Sequence, residues 1–308
     1  MISQPVPARH ATVLSGFDDV AMVAVTDVDP LRSAEFAQAH GMRVVPDVEK
    51  LAAEEVDAVY VCVPPGGHGT PERTLAGAGL PMFIEKPLGV DADLALDIAA
   101  DLSAAGVLTM VGHHWRCGEP VRAARELLAG RTVRAVYGCW WDKVPPVAWW
   151  SDRRQSGGPL VEQAVHLLDT ARVLVGDVVQ VAALSAGELP GGSVDAATAA
   201  LLRFACGAVG TVSTACVLDA KHRAGLEIVA DGLVVGVGED WLEVDGVRRE
   251  LDPWPAKVAA DRAFVDAVRG RPVDPDRSPP DYSEALRSHR LACALARSAA
   301  DGRRESVR

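Results

Sequence analysis

Two segments carry residue types that can move protons and hold a developing charge. Glu85-Lys86-Pro87 closes an apolar run, and residues 157–169 read GGPLVEQAVHLLD. A lysine ammonium can hydrogen-bond an oxygen as negative charge builds on it. An imidazole titrates near neutral pH and suits an acid or base role. At helical spacing Glu162, His166 and Asp169 fall on one face. Taken singly, these residues decide little: Lys86 reads as a surface lysine and His166 as a core histidine. His113 and His114 are adjacent, and adjacent residues on a strand point to opposite faces, so no metal pair is expected. Cys62, Cys117, Cys139, Cys206, Cys216 and Cys293 are scattered without a CxxC pair. That excludes the usual zinc spacings and a disulfide framework and suits buried thiols in a reducing cytoplasm.

The elements that must position these residues change rhythm partway along the chain. Ala21–Thr26, Arg43–Val45, Ala58–Val63, Met82–Ile84 and Val107–Val111 read as short buried strands. Helical patterns alternate with them at 29–41, 48–54, 70–78 and 92–105. Asp29-Pro30 supplies a start signal, and Gly41 and Gly106 supply stops. Strand–helix alternation with short connections predicts a doubly wound parallel sheet, whose ligands bind beyond the carboxyl ends of the strands. Those ends hold Asp27, Val63-Pro64, Glu85-Lys86 and His114-Trp115-Arg116. From about Glu119 the pattern becomes antiparallel. Val133–Trp141, Val178–Leu184, Thr198–Phe204, Ala208–Val217, Leu226–Val237 and Trp241–Val244 read as strands parted by Gly191-Gly192, Asp231-Gly232 and Asp245-Gly246. Pro159–Leu174 reads as one helix, and two more close the chain at 255–268 and 282–299. The expectation is therefore an α/β domain over 1–118 and an α+β domain with an open, largely antiparallel sheet over 119–308.

Composition is consistent with this. The 308 residues are 49% hydrophobic and 24% charged, enough to bury a sizeable core and too ordered for a disordered chain. A net charge of −11 argues against a general nucleic-acid binder. No apolar run is long enough for a transmembrane helix, and the first ten residues lack the pattern of a secretory signal.

The order of the motifs resembles one family. EKP at Glu85–Pro87, the VCVPPGGHG segment at 61–69, VGHHWR at 111–116 and the glycine-led ExxxH helix come in the sequence of the glucose–fructose oxidoreductase and inositol dehydrogenase (Gfo/Idh/MocA) family. The resemblance runs from Arg9-His10 to the last helix. It implies an NAD-linked oxidoreductase acting on a secondary alcohol or ketone of a sugar or cyclitol. Lys86 resembles the family's lysine that stabilises the alkoxide, and His166 its acid/base histidine. The family usually has aspartate where this chain has Glu162. Glutamate keeps the charge, and it would orient the imidazole or contact the sugar. Asp27 resembles the carboxylate that holds the adenosine ribose and favours NAD over NADP by repelling a 2′-phosphate. Val63, Pro64, His68, Glu85, Lys86, Trp115 and Arg116 would line the cofactor's path. Pro87 resembles the family's cis-proline. Trp140, Trp141, Trp149 and Trp150 either wall a sugar site or pack the domains together. The family's open sheet commonly packs on its copy, implying a homodimer or homotetramer.

One part of the family pattern is missing. Counting back from His10 puts Ile2, Gln4 and Pro7 where the three glycines of GxGxxG would sit. Three readings stay open: a start placed too far downstream, a natural loss of tight NAD binding, or a different local structure for the cofactor. The alternative function is a non-catalytic relative that binds a sugar-like ligand or serves as a partner subunit. Without the first strand, two apolar strands should lose a neighbour.

Overall fold

The computed structural model describes residues 6–307. Ile2 and Gln4 lie outside the described residues, and Pro7 lies in the first turn of helix α1 (Val6–Leu14).

The first half is built as the alternation predicts. The strands are β1 (Ala24–Val25), β2 (Arg43–Val44), β3 (Val59–Val61), β4 (Met82–Ile84) and β5 (Thr109–Val111). The helices are α2 (Pro30–His40), α3 (Val48–Ala52), α4 (Thr70–Gly77) and α5 (Ala92–Ala105). Asp29 caps α2 by accepting from the Leu31 amide, and Gly41 ends it in the left-handed region. All pairings are parallel, but the strands form two groups: β1 with β2, and β3-β4-β5. The two groups share no ladder among the described residues. Several strands are shorter than the apolar runs suggest, because only the paired residues count as strand.

The second half adds α6 (Glu119–Leu128), α7 (Arg153–Ser156), α8 (Pro159–Glu162), α9 (Val165–Val175), α10 (Trp254–Val268) and α11 (Tyr282–Asp301). Its strands are β6 (Val133–Trp141), β7 (Val178–Ser185), β8 (Ala197–Phe204), β9 (Val209–Ala215), β10 (Arg223–Ala230), β11 (Leu233–Val237), β12 (Trp241–Val244), β13 (Val247–Glu250) and β14 (Glu305–Ser306). They form one nine-stranded sheet, ordered β13-β12-β11-β10-β6-β9-β8-β7-β14. All its pairs are antiparallel except β6 with β9, since that neighbour pair is reached through crossovers rather than a hairpin.

One face of this sheet carries α6, α9 and α11 over a core containing Val136, Leu167, Leu168, Phe204, Ile228 and Leu291. The other face leaves Tyr137, Leu184, Leu201 and Val209 exposed, between 50% and 70%. Residues alternate between the faces, as β8 shows from Ala197 to Phe204.

The expected single helix over 159–174 is interrupted. α8 ends at Glu162, and α9 starts at Val165 after a break at Gln163-Ala164. Glu162 and His166 therefore sit on two helices joined at Gln163-Ala164. Among the described residues, no helix is long and apolar enough to cross a membrane.

Candidate active site

The site begins where β4 ends. The Lys86-Pro87 peptide is cis. The Lys86 ammonium donates to the Glu162 carboxylate and to the Glu162 backbone carbonyl, each at 2.9 Å. The other Glu162 oxygen accepts the indole N–H of Trp150 at 2.9 Å. Trp150 is fully buried, so a rigid indole and an ammonium fix this carboxylate. Glycine makes the approach possible. Gly157 and Gly158 have φ of +72° and +85°, and a Cβ on Gly157 would meet Val161 at 2.8 Å. Glu162 makes no hydrogen bond to His166, so the expected orienting contact is replaced by the one to Lys86.

His166 lies in a nest of rings. Trp115 and Trp140 stack nearly parallel to it, with centroids at 5.6 and 6.0 Å. His113 and His114 meet it edge-on at 6.0 and 5.3 Å. Both adjacent histidines thus turn to the same side. After β5 the chain tightens into a 3₁₀ turn over His114–Cys117, which ends the alternation expected of a strand. Burial, then the charges of Lys86, His114, His113 and Arg9, hold the His166 pKa well below its ordinary range. Burial also pushes His113 down, to about 4, although Asp169 opposes the shift. Among the described residues, no group of three or more histidine, cysteine or carboxylate side chains could hold a metal.

A second network sits behind Glu85. Arg9 donates to Glu85 Oε1 at 2.8 Å, while His10 Nε2 lies 2.9 Å from the same oxygen and 3.0 Å from the Arg9 guanidinium, and its Nδ1 lies 2.7 Å from Asp261. Carboxylates beside both ring nitrogens favour the protonated ring. Burial works against that charge, but Asp261 and Glu85 outweigh it, and the His10 pKa is raised. Burial raises and His10 and Arg9 lower the Glu85 pKa, with a net depression. A Cβ on residue 112 would fall 2.6 Å from Glu85 Oε1, which explains Gly112. No pattern in the sequence marks Asp261, which reaches this network from α10, 251 residues from His10.

Several residues expected on the cofactor's path are engaged within the protein. Glu85 faces His10 and Arg9. Arg116 grips Asp169 through two hydrogen bonds at 2.6 and 2.7 Å and also reaches Glu284. His68 is buried, with Nδ1 2.5 Å from Glu72. Burial raises the Glu72 pKa, but His68 and the Gly69 amide lower it further. These side chains turn inward because each meets a buried ionic partner there. Asp27 and Pro64 remain exposed at strand ends, and Val63 and Lys86 are partly buried. Trp115 is buried in the ring nest. The four tryptophans divide: Trp140 and Trp150 belong to the site, Trp141 stacks on His222 outside it, and Trp149 packs with Trp150, Leu189 and Val194.

The chain resembles known proteins in both halves. Residues 6–113 match the family model described as an oxidoreductase family with an NAD-binding Rossmann fold. Residues 121–233 match the GFO/IDH/MocA C-terminal domain. The inositol 2-dehydrogenase of Rhizobium meliloti (strain 1021) is 30% identical over 54% of this chain and 51% of its own length. A putative UDP-kanosamine synthase oxidoreductase subunit of Amycolatopsis mediterranei (strain S699) is 32% identical over 51% of this chain and 45% of its own length. The chain thus spans about half the length of these curated relatives. Among solved structures, a putative myo-inositol dehydrogenase from Sinorhizobium meliloti 1021 aligns over 99% of this chain and 97% of its own, with a TM-score of 0.82 and 24% identity. The WlbA dehydrogenase from Bordetella pertussis, in complex with NADH and UDP-GlcNAcA, aligns over 98% and 96%, with a TM-score of 0.86 and 22% identity. At these identities the structures establish the fold: a Rossmann-like parallel sheet followed by a largely antiparallel one. With both domain models matched in order, the chain belongs to the Gfo/Idh/MocA oxidoreductase family.

Proposed function

We propose that this chain is an oxidoreductase that transfers a hydride between NAD(H) and a secondary alcohol or ketone of a sugar or cyclitol. The observation that carries this reading is the Lys86 ammonium, held at the carboxyl end of β4 by Glu162 and set beside the His166 ring nest. Oxidising an alcohol needs a hydride acceptor, a group that stabilises the alkoxide and a base. Lys86 supplies the second and His166 the third, with Glu162 holding Lys86 in place. NAD would supply the hydride acceptor. Asp27 would take the ribose hydroxyls and disfavour NADP. Val63, Pro64 and Trp115 would flank the cofactor, over a dinucleotide-binding domain spanning 1–118 and a substrate domain spanning 119–308. The apolar residues on the open sheet face support a homodimer or homotetramer. The six free cysteines suit a cytoplasmic setting.

A fluorescence titration with NADH, followed by oxidation assays with NAD⁺ and myo-inositol, tests the reading. Quenching by NADH and reduction of NAD⁺ support it. The second reading, a non-catalytic ligand binder, is favoured by the inward engagement of Glu85, His68 and Arg116, which were expected on the cofactor's path. It predicts no NADH binding with retained binding of a polyol. Light scattering tests the assembly, and a Leu201→Arg variant should shift it towards monomer.

A further inference from the structure

Where α5 packs against α11, a cavity of about 550 Å³ lies between those helices and the last strand. Its size falls in the range of small-molecule sites. None of the residues proposed for hydride transfer lines it. Three guanidinium groups do. Arg290 and Arg297 stand two turns apart on one face of α11, and Arg304 comes just before β14.

Elsewhere the chain spends its arginines on ion pairs. Arg116, Arg172, Arg262 and Arg287 each hold two carboxylates. In the cavity the balance differs. The guanidinium groups of Arg290 and Arg304 make no ion pair or hydrogen bond with the described residues. Arg297 has one partner, Glu305, at 3.6 Å, longer than an aligned hydrogen bond. A guanidinium is a planar fork that matches phosphate oxygens two at a time. Two free forks and a loosely held third, in a chain of net charge −11, are suited to an external anion. The rest of the lining narrows the ligand further. Asp93 and Glu305 supply acceptors and Ser306 a hydroxyl. A bare anion would meet two carboxylates there, whereas a ligand that also carries hydroxyls donates to them. The lining residues include no aromatic ring on which a nucleotide base would stack.

We propose that this cavity is a second binding site, which takes a phosphate monoester of a sugar or polyol. The phosphate oxygens accept from Arg290 and Arg304, and from Arg297 as it leaves Glu305. The ligand's hydroxyls donate to Asp93 and to the Glu305 carboxylate thus released. No covalent bond changes, and no group around Lys86 or His166 takes part. The site therefore stands apart from the hydride-transfer reading and does not depend on it.

Calorimetric titration of the full chain with glucose 6-phosphate and with inorganic phosphate tests this. Saturable binding of the ester is expected, tighter than that of inorganic phosphate. Arg290→Gln and Arg304→Gln should each weaken it by about tenfold or more, the loss of one charge-assisted hydrogen bond. Neither side chain has an internal partner to strand, so both variants should fold, which thermal unfolding checks. Glu305→Gln frees Arg297 and should strengthen binding. Arg203→Gln removes the same charge from an exposed arginine on β8 and should change nothing. No saturable binding, or equal affinity for the ester and inorganic phosphate, overturns the proposal. So does a loss in Arg203→Gln as large as in Arg290→Gln. Unchanged affinity in both cavity variants places the ester elsewhere and overturns it too. Dissociation of an oligomer in Arg290→Gln, seen by light scattering, gives the cavity to a second copy of the chain and has the same consequence.

Discussion

His10 and His166 are both almost sealed from solvent, yet their surroundings do opposite things to the ring. His10 stands between Glu85 and Asp261, and its pKa is raised. His166 stands among two indoles, two other imidazoles and the Lys86 charge, and is held neutral. Burial penalises the charged form in both places, so the difference lies in the partners. Carboxylates on both ring nitrogens outweigh desolvation at His10, while nearby cations add to it at His166. The first region is a fixed ionic joint tying α1, the end of β4 and α10 together. The second keeps a neutral ring with an unpartnered nitrogen, which is the condition for accepting a proton.

The joint should break hardest. Asp261→Asn removes one of the two anions that balance His10 and Arg9. Removing one partner from a buried ion pair typically costs about 3–5 kcal/mol. Chemical denaturation of the variant should show a loss of that order. A loss under about 1 kcal/mol would mean that His10 is not charged in the folded protein.

At the neutral end of the comparison, Lys86→Met should lower turnover by about 10²–10³-fold with little change in stability, because its ammonium acts on charge that forms only as the reaction proceeds. Steady-state rates with NAD⁺ and any substrate found will decide it, and wild-type turnover would sink the assignment. Glu162→Gln should have a smaller effect. The amide can still accept from Lys86 while losing the charge, and the cost should resemble that of one charge-assisted hydrogen bond, about 1.5–3 kcal/mol. A larger loss in this variant than in Lys86→Met would mean that the two roles are reversed.

The neutral cluster was more legible in the sequence than the joint. Lys86, Glu162 and His166 lie in motifs with fixed spacing, so their convergence could be expected. Their contacts could not: Glu162 meets Lys86 instead of His166, and the helix breaks at Gln163-Ala164. The same holds for His113 and His114, whose shared side depends on a 3₁₀ turn that strand periodicity does not announce. Strand alternation showed the elements well but not the parallel β6–β9 pair, which follows from connectivity rather than local pattern. The joint needed Asp261, and nothing in an amphipathic helix marks one carboxylate as the partner of a histidine far away in the chain.

The smallest expected effect is also the sharpest test of the comparison, because it has opposite signs at the two rings. His10 has a raised folded-state pKa. Its stabilisation is fully present below the ordinary histidine value of about 6.5 and is lost as pH rises through the folded value. His166 has a depressed folded-state pKa. Below about 6.5 the unfolded ring takes a proton that the folded ring refuses, so stability falls as pH falls. Each such ring contributes a slope of at most about 1.4 kcal/mol per pH unit within its window. His113 and His289, both near 4, add to the acid-side loss. Thermal unfolding across pH 5 to 9 should therefore show a maximum, with losses on both sides. His166→Asn should flatten the acid side by one ring's share and leave the alkaline decline unchanged. An altered alkaline side in that variant, or an unchanged acid side, would show that the two rings are not held in opposite charge states.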